Sequence, residues 1–305
     1  MEKHRKKLIK NATVFDGHSS GLAQGKKIVI EDDIVTEITA DEVSEENFDE
    51  VFDGTGMVAM PGMTDAHVHM GCLFAKGEFP VDYATVLTVA KCKDALMAGF
   101  TTFRDAGSVS EGLKLAFDEG VLPGPRIYPC GAYISQTCGH GDSEYAHTYR
   151  DIQYRHPSST VLADGVPEII RAVREQFYRG ASHIKLMATE ILNRHEDIRI
   201  LFGTDMMITR PDYQVEQSED IRYYEKRFGT MRALRALTGT ANEVFALTTY
   251  QNPYPKGKIG VLEAGSYADL LLVDGDPTKS VSVLADTDHL RLIMKGGTVY
   301  KNTLC

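Results

Sequence analysis

The chain has 305 residues, enough for one large domain or two modest ones. With 43% hydrophobic and 25% charged residues it has the make-up of a globular protein that can bury a sizeable core. Its formal net charge of -10, with basic clustering confined to residues 3–7, argues against a nucleic-acid partner. No apolar run approaches the roughly 18 residues of a membrane-spanning helix, and the start lacks the apolar centre of a secretory signal, so no membrane partner is expected. Five cysteines (Cys72, Cys92, Cys130, Cys138 and Cys305) are dispersed and odd in number, without C-x-x-C pairing. That pattern points to neither a zinc ribbon nor a disulfide scaffold and suits a reducing, cytoplasmic setting.

In chain order, residues 8–58 read as short strands. Residues 8–15 are strand-like and end in the turn Asp16-Gly17. Residues 27–31 and 34–38 flank Asp32-Asp33 in the outline of a hairpin. Residues 42–50 are acidic and loop-like. From about residue 59, strand candidates alternate with helix-length segments. They are a strand at 61–70, a helix at 83–98, a strand at 101–105, a helix at 110–119 and a strand at 126–134. After a long polar loop come a helix at 167–179 and a strand at 183–188. Pro167 suits the first turn of that helix and Gly180 its end. This alternation is the grammar of parallel β-strands with helical crossovers. A short helix is expected at 191–197, a strand at 199–205 and helical periodicity at 224–247. Residues 256–301 return to strands and glycine-rich turns. One β module assembled from both termini accounts for the similarity of the two ends.

The sharpest motif is Pro61-Gly62-Met63-Thr64-Asp65-Ala66-His67-Val68-His69. Residues two apart on a strand share a face, so His67 and His69 project together and can hold one divalent ion through neutral imidazole nitrogens. The alternative is two histidines exposed by chance on an edge strand. Lys185 stands in the apolar stretch His183-Ile184-Lys185-Leu186-Met187. Burial there would lower its pKa and leave a reactive neutral amine, whereas a paired or outward-snorkelling lysine would be merely structural. Asp205 ends Leu201-Phe202-Gly203-Thr204-Asp205, a carboxylate at the carboxyl end of a strand, where barrel enzymes keep their chemistry; a helix N-cap is the other reading. His140, in Cys138-Gly139-His140-Gly141-Asp142, is a candidate substrate contact or a turn residue. Arg104 and Asp105 are as consistent with an internal salt bridge as with catalysis.

Together these segments resemble the amidohydrolase superfamily, in its imidazolonepropionase-like and prolidase-like branch. VAMPGMTDAHVH (residues 58–69) resembles the family's first barrel strand, and GKIGVLEAGSYADLLLVDGDP (residues 257–277) its return to a terminal β-sandwich. The resemblance implies an α/β fold: a TIM-type (βα)8 barrel at residues 59–249 and a small β-sandwich formed by residues 1–58 and 250–305. It implies a binuclear metal site, with zinc the foremost metal. His67 and His69 would bind one ion, carbamylated Lys185 would bridge two, and Asp205 would be both ligand and catalytic proton shuttle. A metal-held hydroxide would then attack the C–N bond of a small amide, dipeptide-like or N-acyl substrate.

The sequence departs from that pattern in one place. Only nineteen residues separate Lys185 from Asp205. If these are strands four and eight, three strands and their helices should intervene, on the order of 100 residues at about 30 per βαβ unit. The single histidine there, His195, lies in a polar helix-like context. The expectation is therefore an incomplete barrel lacking strands five to seven and the second ion's histidines. One ion or none would remain. The chain would be either a C–N hydrolase or a catalytically impaired homologue that binds metal or a partner. A homo-oligomer would cover the exposed strand edges.

Overall fold

The computed structural model describes residues 5–70, 81–107, 111–139, 141–142, 160–187, 199–207 and 213–304. Near the amino terminus, alternating apolar and polar residues give β1 (Lys6–Val14), β2 (Ala23–Glu31) and β3 (Ile34–Thr39), paired antiparallel. The expected Asp32-Asp33 turn joins β2 to β3. Asp32 adopts the left-handed conformation (φ 53°), which a short polar side chain tolerates. β4 (Glu50–Asp53) and β5 (Val58–Pro61) both run parallel to β1, along different parts of it.

The chain then leaves this sheet at Gly62 and enters the strand–helix alternation. β6 (Met63–His69) is followed by α1 (Val81–Met97), β7 (Phe100–Asp105), α2 (Glu111–Asp118) and β8 (Arg126–Tyr128). β6, β7 and β8 pair in parallel, with α1 and α2 as the crossovers. α1 turns Thr88, Cys92, Ala95 and Leu96 into the core at helical spacing. β9 (Tyr133–Ser135) pairs with β10 (Thr160–Leu162), and α3 (Val166–Tyr178) follows, closed by Gly180 at φ 91°. The 126–134 segment thus divides into β8 and β9 instead of forming one strand.

The expected strand at 183–188 reduces to one parallel bridge, Leu186 to Ile134. It is framed by hydrogen bonds from Ile134 N to Lys185 O (2.9 Å) and from Met187 N to Ile134 O (3.0 Å). Residues 199–205 are not a regular strand, yet they run beside β6. Ala66 N donates to Phe202 O and Asp205 N donates to His67 O, both at 2.8 Å. The two-residue β11 (Met206–Met207) continues this pairing past Asp205, parallel to β6. The parallel sheet therefore runs β11-β6-β7-β8. Among the described residues no ladder links residues 185–187 to β11, and no closed barrel forms. The helix expected at 191–197, with His195, lies outside the described residues.

The expected helix at 224–247 is three helices: α4 (Tyr213–Phe228), α5 (Thr230–Leu237) and α6 (Gly239–Phe245). The breaks fall at Gly229 (φ 81°) and at Thr238, whose backbone is non-helical. α5 buries Ala233, Leu234, Ala236 and Leu237, and its Ala236 O accepts from Phe202 N at 3.1 Å. Phe202 stacks on Phe100 and meets Tyr224 at a tilt, with ring centroids 5.7 and 4.9 Å away. This packing seats the Phe202–Asp205 segment against β6.

The chain ends in β12 (Leu270–Val273), β13 (Leu290–Lys295) and β14 (Thr298–Asn302). β12 pairs antiparallel with β5, so strands from both ends join one eight-stranded sheet. A buried polar junction ties it to the parallel sheet. Arg126, at the start of β8, donates to both Asp269 carboxylate oxygens (2.6 and 3.1 Å). Gly296 N donates to the same carboxylate at 2.7 Å, and the Lys295 ammonium donates to Gly124 O at 2.6 Å.

Candidate metal centre

β6 carries His67 and His69 to the carboxyl end of the parallel sheet, and the segment paired alongside brings Asp205 to the same point. A register shift between Asp65 and Val68 in the β6–β7 ladder adjusts the strand just before the histidines. The two imidazole Nε2 atoms stand 3.3 Å apart. An Asp205 carboxylate oxygen lies 3.2 Å from His67 Nε2 and 3.4 Å from His69 Nε2. Among the described residues these three form the one group of histidine, cysteine and acidic side chains close enough to hold a metal ion. Their separations are informative. Ligand atoms about 2.0–2.1 Å from a tetrahedral ion stand about 3.3 Å apart. The nearly equilateral triangle therefore has the edge length of one face of such a coordination sphere. Two imidazole lone pairs at this distance would repel unless one nitrogen is protonated or a cation draws both.

Lys185 completes the cluster, with Nζ 3.0 Å from His67 Nε2. Because residues 185–187 make so little ladder, other contacts must hold this lysine in place. His183 supplies one. Its Nε2 lies 3.0 Å from Asp105 O at the end of β7, and its Nδ1 lies 3.0 Å from the Ser182 hydroxyl. Tyr133 meets His69 edge-on, ring centroids 6.2 Å apart. Gly107 permits that approach, since a Cβ there would strike the Tyr133 ring.

The electrostatics favour neutral bases. Burial, then the Lys185 ammonium, and also Arg104 lower the His67 pKa, while Asp205 opposes them. Burial is likewise the main force lowering the Lys185 pKa; Asp205 raises it and Arg104 lowers it further. Burial and Arg104 push the His183 pKa down to about 3. Arg104 itself donates to Ala66 O at 3.5 Å, which carries its charge beneath the histidines. A neutral imidazole is the form that binds metal, and a neutral amine is the form that reacts with electrophiles.

All four residues expected to ligate metal are thus brought together. His140, the candidate substrate contact, lies outside the described residues. Two contributors were not singled out from sequence. Asp65 is wholly buried and accepts from the Thr204 hydroxyl (2.7 Å), Thr204 N (3.2 Å), His67 N (3.2 Å) and Gln217 Nε2 (3.5 Å). Burial raises its pKa to about 7 against the pull of these donors. Its signal was available, because a charged residue within an apolar strand needs a reason. His183 gave no such signal; its role depends on a contact with residue 105.

The profile of the Amidohydrolase family matches residues 58–196, the stretch that carries His67, His69 and Lys185. That match covers under half of the chain and makes it similar to the amidohydrolases over that stretch. Over 152 residues it is 34% identical to an ochratoxinase of Aspergillus niger, an alignment covering 43% of this chain and 31% of that protein. Over 176 residues it is 39% identical to an imidazolonepropionase of Picrophilus torridus, covering 53% and 43%. The chain thus spans about a third of the first relative's length and under half of the second's. Among solved structures, a crystallised amidohydrolase aligns over 98% of this chain and 100% of its own, with a TM-score of 0.84 and 23% identity. A. niger ochratoxinase aligns over 99% and 97%, at 0.78 and 19%. A prolidase complexed with N-methylphosphonate-L-proline aligns over 97% and 100%, at 0.77 and 20%. At these identities the likeness is one of fold: the chain shares their α/β architecture.

Proposed function

We propose that this chain is a metal-dependent hydrolase of C–N bonds, acting on a small amide, dipeptide-like or N-acyl substrate. The observation that carries the reading is the 3.2–3.4 Å triangle of two imidazole nitrogens and one carboxylate oxygen. That donor set suits zinc, and His67, His69 and Asp205 would hold the ion, with Lys185 beside it as its amine or as a carbamate. When bound, such an ion supplies an activated water and polarises a carbonyl. Asp205 has the other attribute catalysis needs. Its carboxylate is largely exposed, at 73% of the side chain, so it can take a proton from solvent-side water and hand it to a leaving amine. Lys185, whose pKa burial lowers, stands within hydrogen-bond distance of His67 Nε2. The names of the relatives, ochratoxinase, imidazolonepropionase and prolidase, support a C–N bond as the target.

The domain plan that goes with this reading is a composite β-sandwich of residues 1–58 and 250–305 around a shortened barrel at 59–249. The nineteen residues between Lys185 and Asp205 favour a second reading, an impaired homologue that retains one ion and lacks the ligands of a second. One experiment separates the two. Zinc content and affinity are measured for the wild type and His67→Ala, and hydrolysis of N-acyl amino acids and Xaa-Pro dipeptides is followed with zinc present. About one zinc in the wild type, none in His67→Ala, and zinc-dependent amide cleavage are expected. Zinc binding without cleavage selects the impaired homologue. Equal zinc uptake by both proteins overturns the metal centre itself.

A further inference from the structure

The third ligand of the cluster has a problem of placement. The Asp205 side chain is mostly exposed, so no packing fixes it. Its backbone sits at φ 53°, the left-handed conformation that Asp32 also adopts, which turns the chain out of the extended path of a strand. The segment before it is not a regular strand, and β11 after it has only two residues. A carboxylate so mounted would sweep a wide volume unless the backbone on either side were pinned.

The pins are visible. On the far side, Met206 and Met207 pair with Val68 and His69. On the near side, both the amide and the hydroxyl of Thr204 donate to one side chain, Asp65, two residues before His67. The Asp65 oxygen that accepts the Thr204 amide also accepts the His67 amide. One carboxylate thus holds the backbone of a histidine ligand and the residue before the aspartate ligand. Gly203 lies so close to this strand that a Cβ there would come within 2.8 Å of the His67 Cβ.

We propose that Asp65 is the positioning residue of this centre: by clasping Thr204 to β6 it holds Asp205 within ligand reach of His67 and His69. The inference rests on the metal-centre reading above. Folding alone gives little reason for the clasp. A buried carboxyl is costly to keep ionised, and a neutral side chain of the same shape could occupy the site more cheaply. A residue that works against stability beside a candidate site is what positional demand produces. Gln217 of α4 adds the last donor to Asp65 and ties the clasp to the helix that follows β11.

The test is a zinc-affinity cycle by competition with a chromophoric chelator, on wild type, Asp65→Asn, Thr204→Val, Asp205→Ala and the Asp65→Asn/Asp205→Ala pair, with Co2+ spectra of each. Removing an outer partner of a ligand weakens affinity about 10- to 100-fold. Asp65→Asn and Thr204→Val should each show a loss in that range and an altered cobalt band, with the circular dichroism of the wild type. In the Asp205→Ala background, Asp65→Asn should cost much less affinity than it does in the wild type, the remainder reporting its hold on the His67 amide. Wild-type affinity in Asp65→Asn, or a full additional loss on top of Asp205→Ala, overturns the proposal. If Asp65→Asn fails to fold, Thr204→Val decides alone, and wild-type affinity there is the refutation. His67→Ala is the control for the underlying reading. If it binds zinc as the wild type does, the metal centre falls first and the clasp with it. A zinc loss in His67→Ala with none in Thr204→Val or Asp65→Asn sinks the clasp alone.

Discussion

The pH dependence of stability isolates two buried groups that oppose each other. Asp65 titrates near 7 in the folded, metal-free chain, against 3.8 for an unperturbed aspartate. Between those values the folded chain binds the extra proton, so Asp65 makes stability fall as pH rises. At about 1.4 kcal/mol per tenfold change in proton affinity, its charge weighs on the order of 4 kcal/mol against the fold above pH 7. His183 runs the other way. Its pKa falls to about 3 from 6.5, so the unfolded chain binds the extra proton and stability rises with pH. The same conversion gives up to about 5 kcal/mol, reduced by solvent screening at the partly exposed edge of the ring. Between pH 4 and 6.5 the two slopes largely offset. The wild type should therefore show a nearly flat contribution from this pair, and each variant should unmask the other partner. In urea unfolding of metal-free protein, Asp65→Asn should gain stability relative to wild type as pH rises from 4 to 8. His183→Gln should gain relative to wild type as pH falls from 6.5 to 4. Parallel stability–pH curves for wild type and both variants would refute the reasoning, since burial would then not be setting either proton affinity.

Arg126→Met strips Asp269 of its bidentate partner within a buried junction and should cost about 3–5 kcal/mol in urea unfolding, with the Arg126→Met/Asp269→Leu pair recovering part of it. Gly203→Ala places a methyl against the His67 Cβ and should destabilise by about 1–3 kcal/mol in thermal melts while weakening zinc binding. Leu234→Ala, in a fully buried position of α5 behind the Phe202 segment, should cost about 2–5 kcal/mol without changing zinc stoichiometry.

The sequence was most readable where a local rule acts alone. Period-two spacing put His67 and His69 on one face, and their Nε2 atoms meet at 3.3 Å. The Asp32-Asp33 turn and the Gly180 helix stop follow from short-range turn chemistry. Lys185 and Asp205 were legible as charges in apolar surroundings. The same argument applies to Asp65, a charge inside the apolar stretch of the first motif. What could not be read is whatever depends on distant pairing. The 183–188 run has strand composition, yet with one bridge to Ile134 it does not become a regular strand. The 224–247 run has continuous helical periodicity, yet Gly229 and Thr238 divide it, so that Phe202 N can reach Ala236 O.

The location of the cluster bears on how much chemistry so short a chain can retain. His67, His69 and Asp205 belong to two segments that are direct neighbours, joined by the Ala66–Phe202 and His67–Asp205 hydrogen bonds and the β6–β11 ladder. Lys185 arrives from the opposite flank, held by the bridge to β9 and by His183 reaching Asp105 O. A three-ligand centre therefore needs only β6, the segment ending at Asp205 and the clasp between them. A second ion would need donors from the interval that nineteen residues leave too short for further βαβ units. The physical expectation is a metal site carried by two neighbouring segments, β6 and the residues that end at Asp205. Its metal affinity should be set mainly by β6 and the Gly203–Asp205 turn, and only weakly by Lys185.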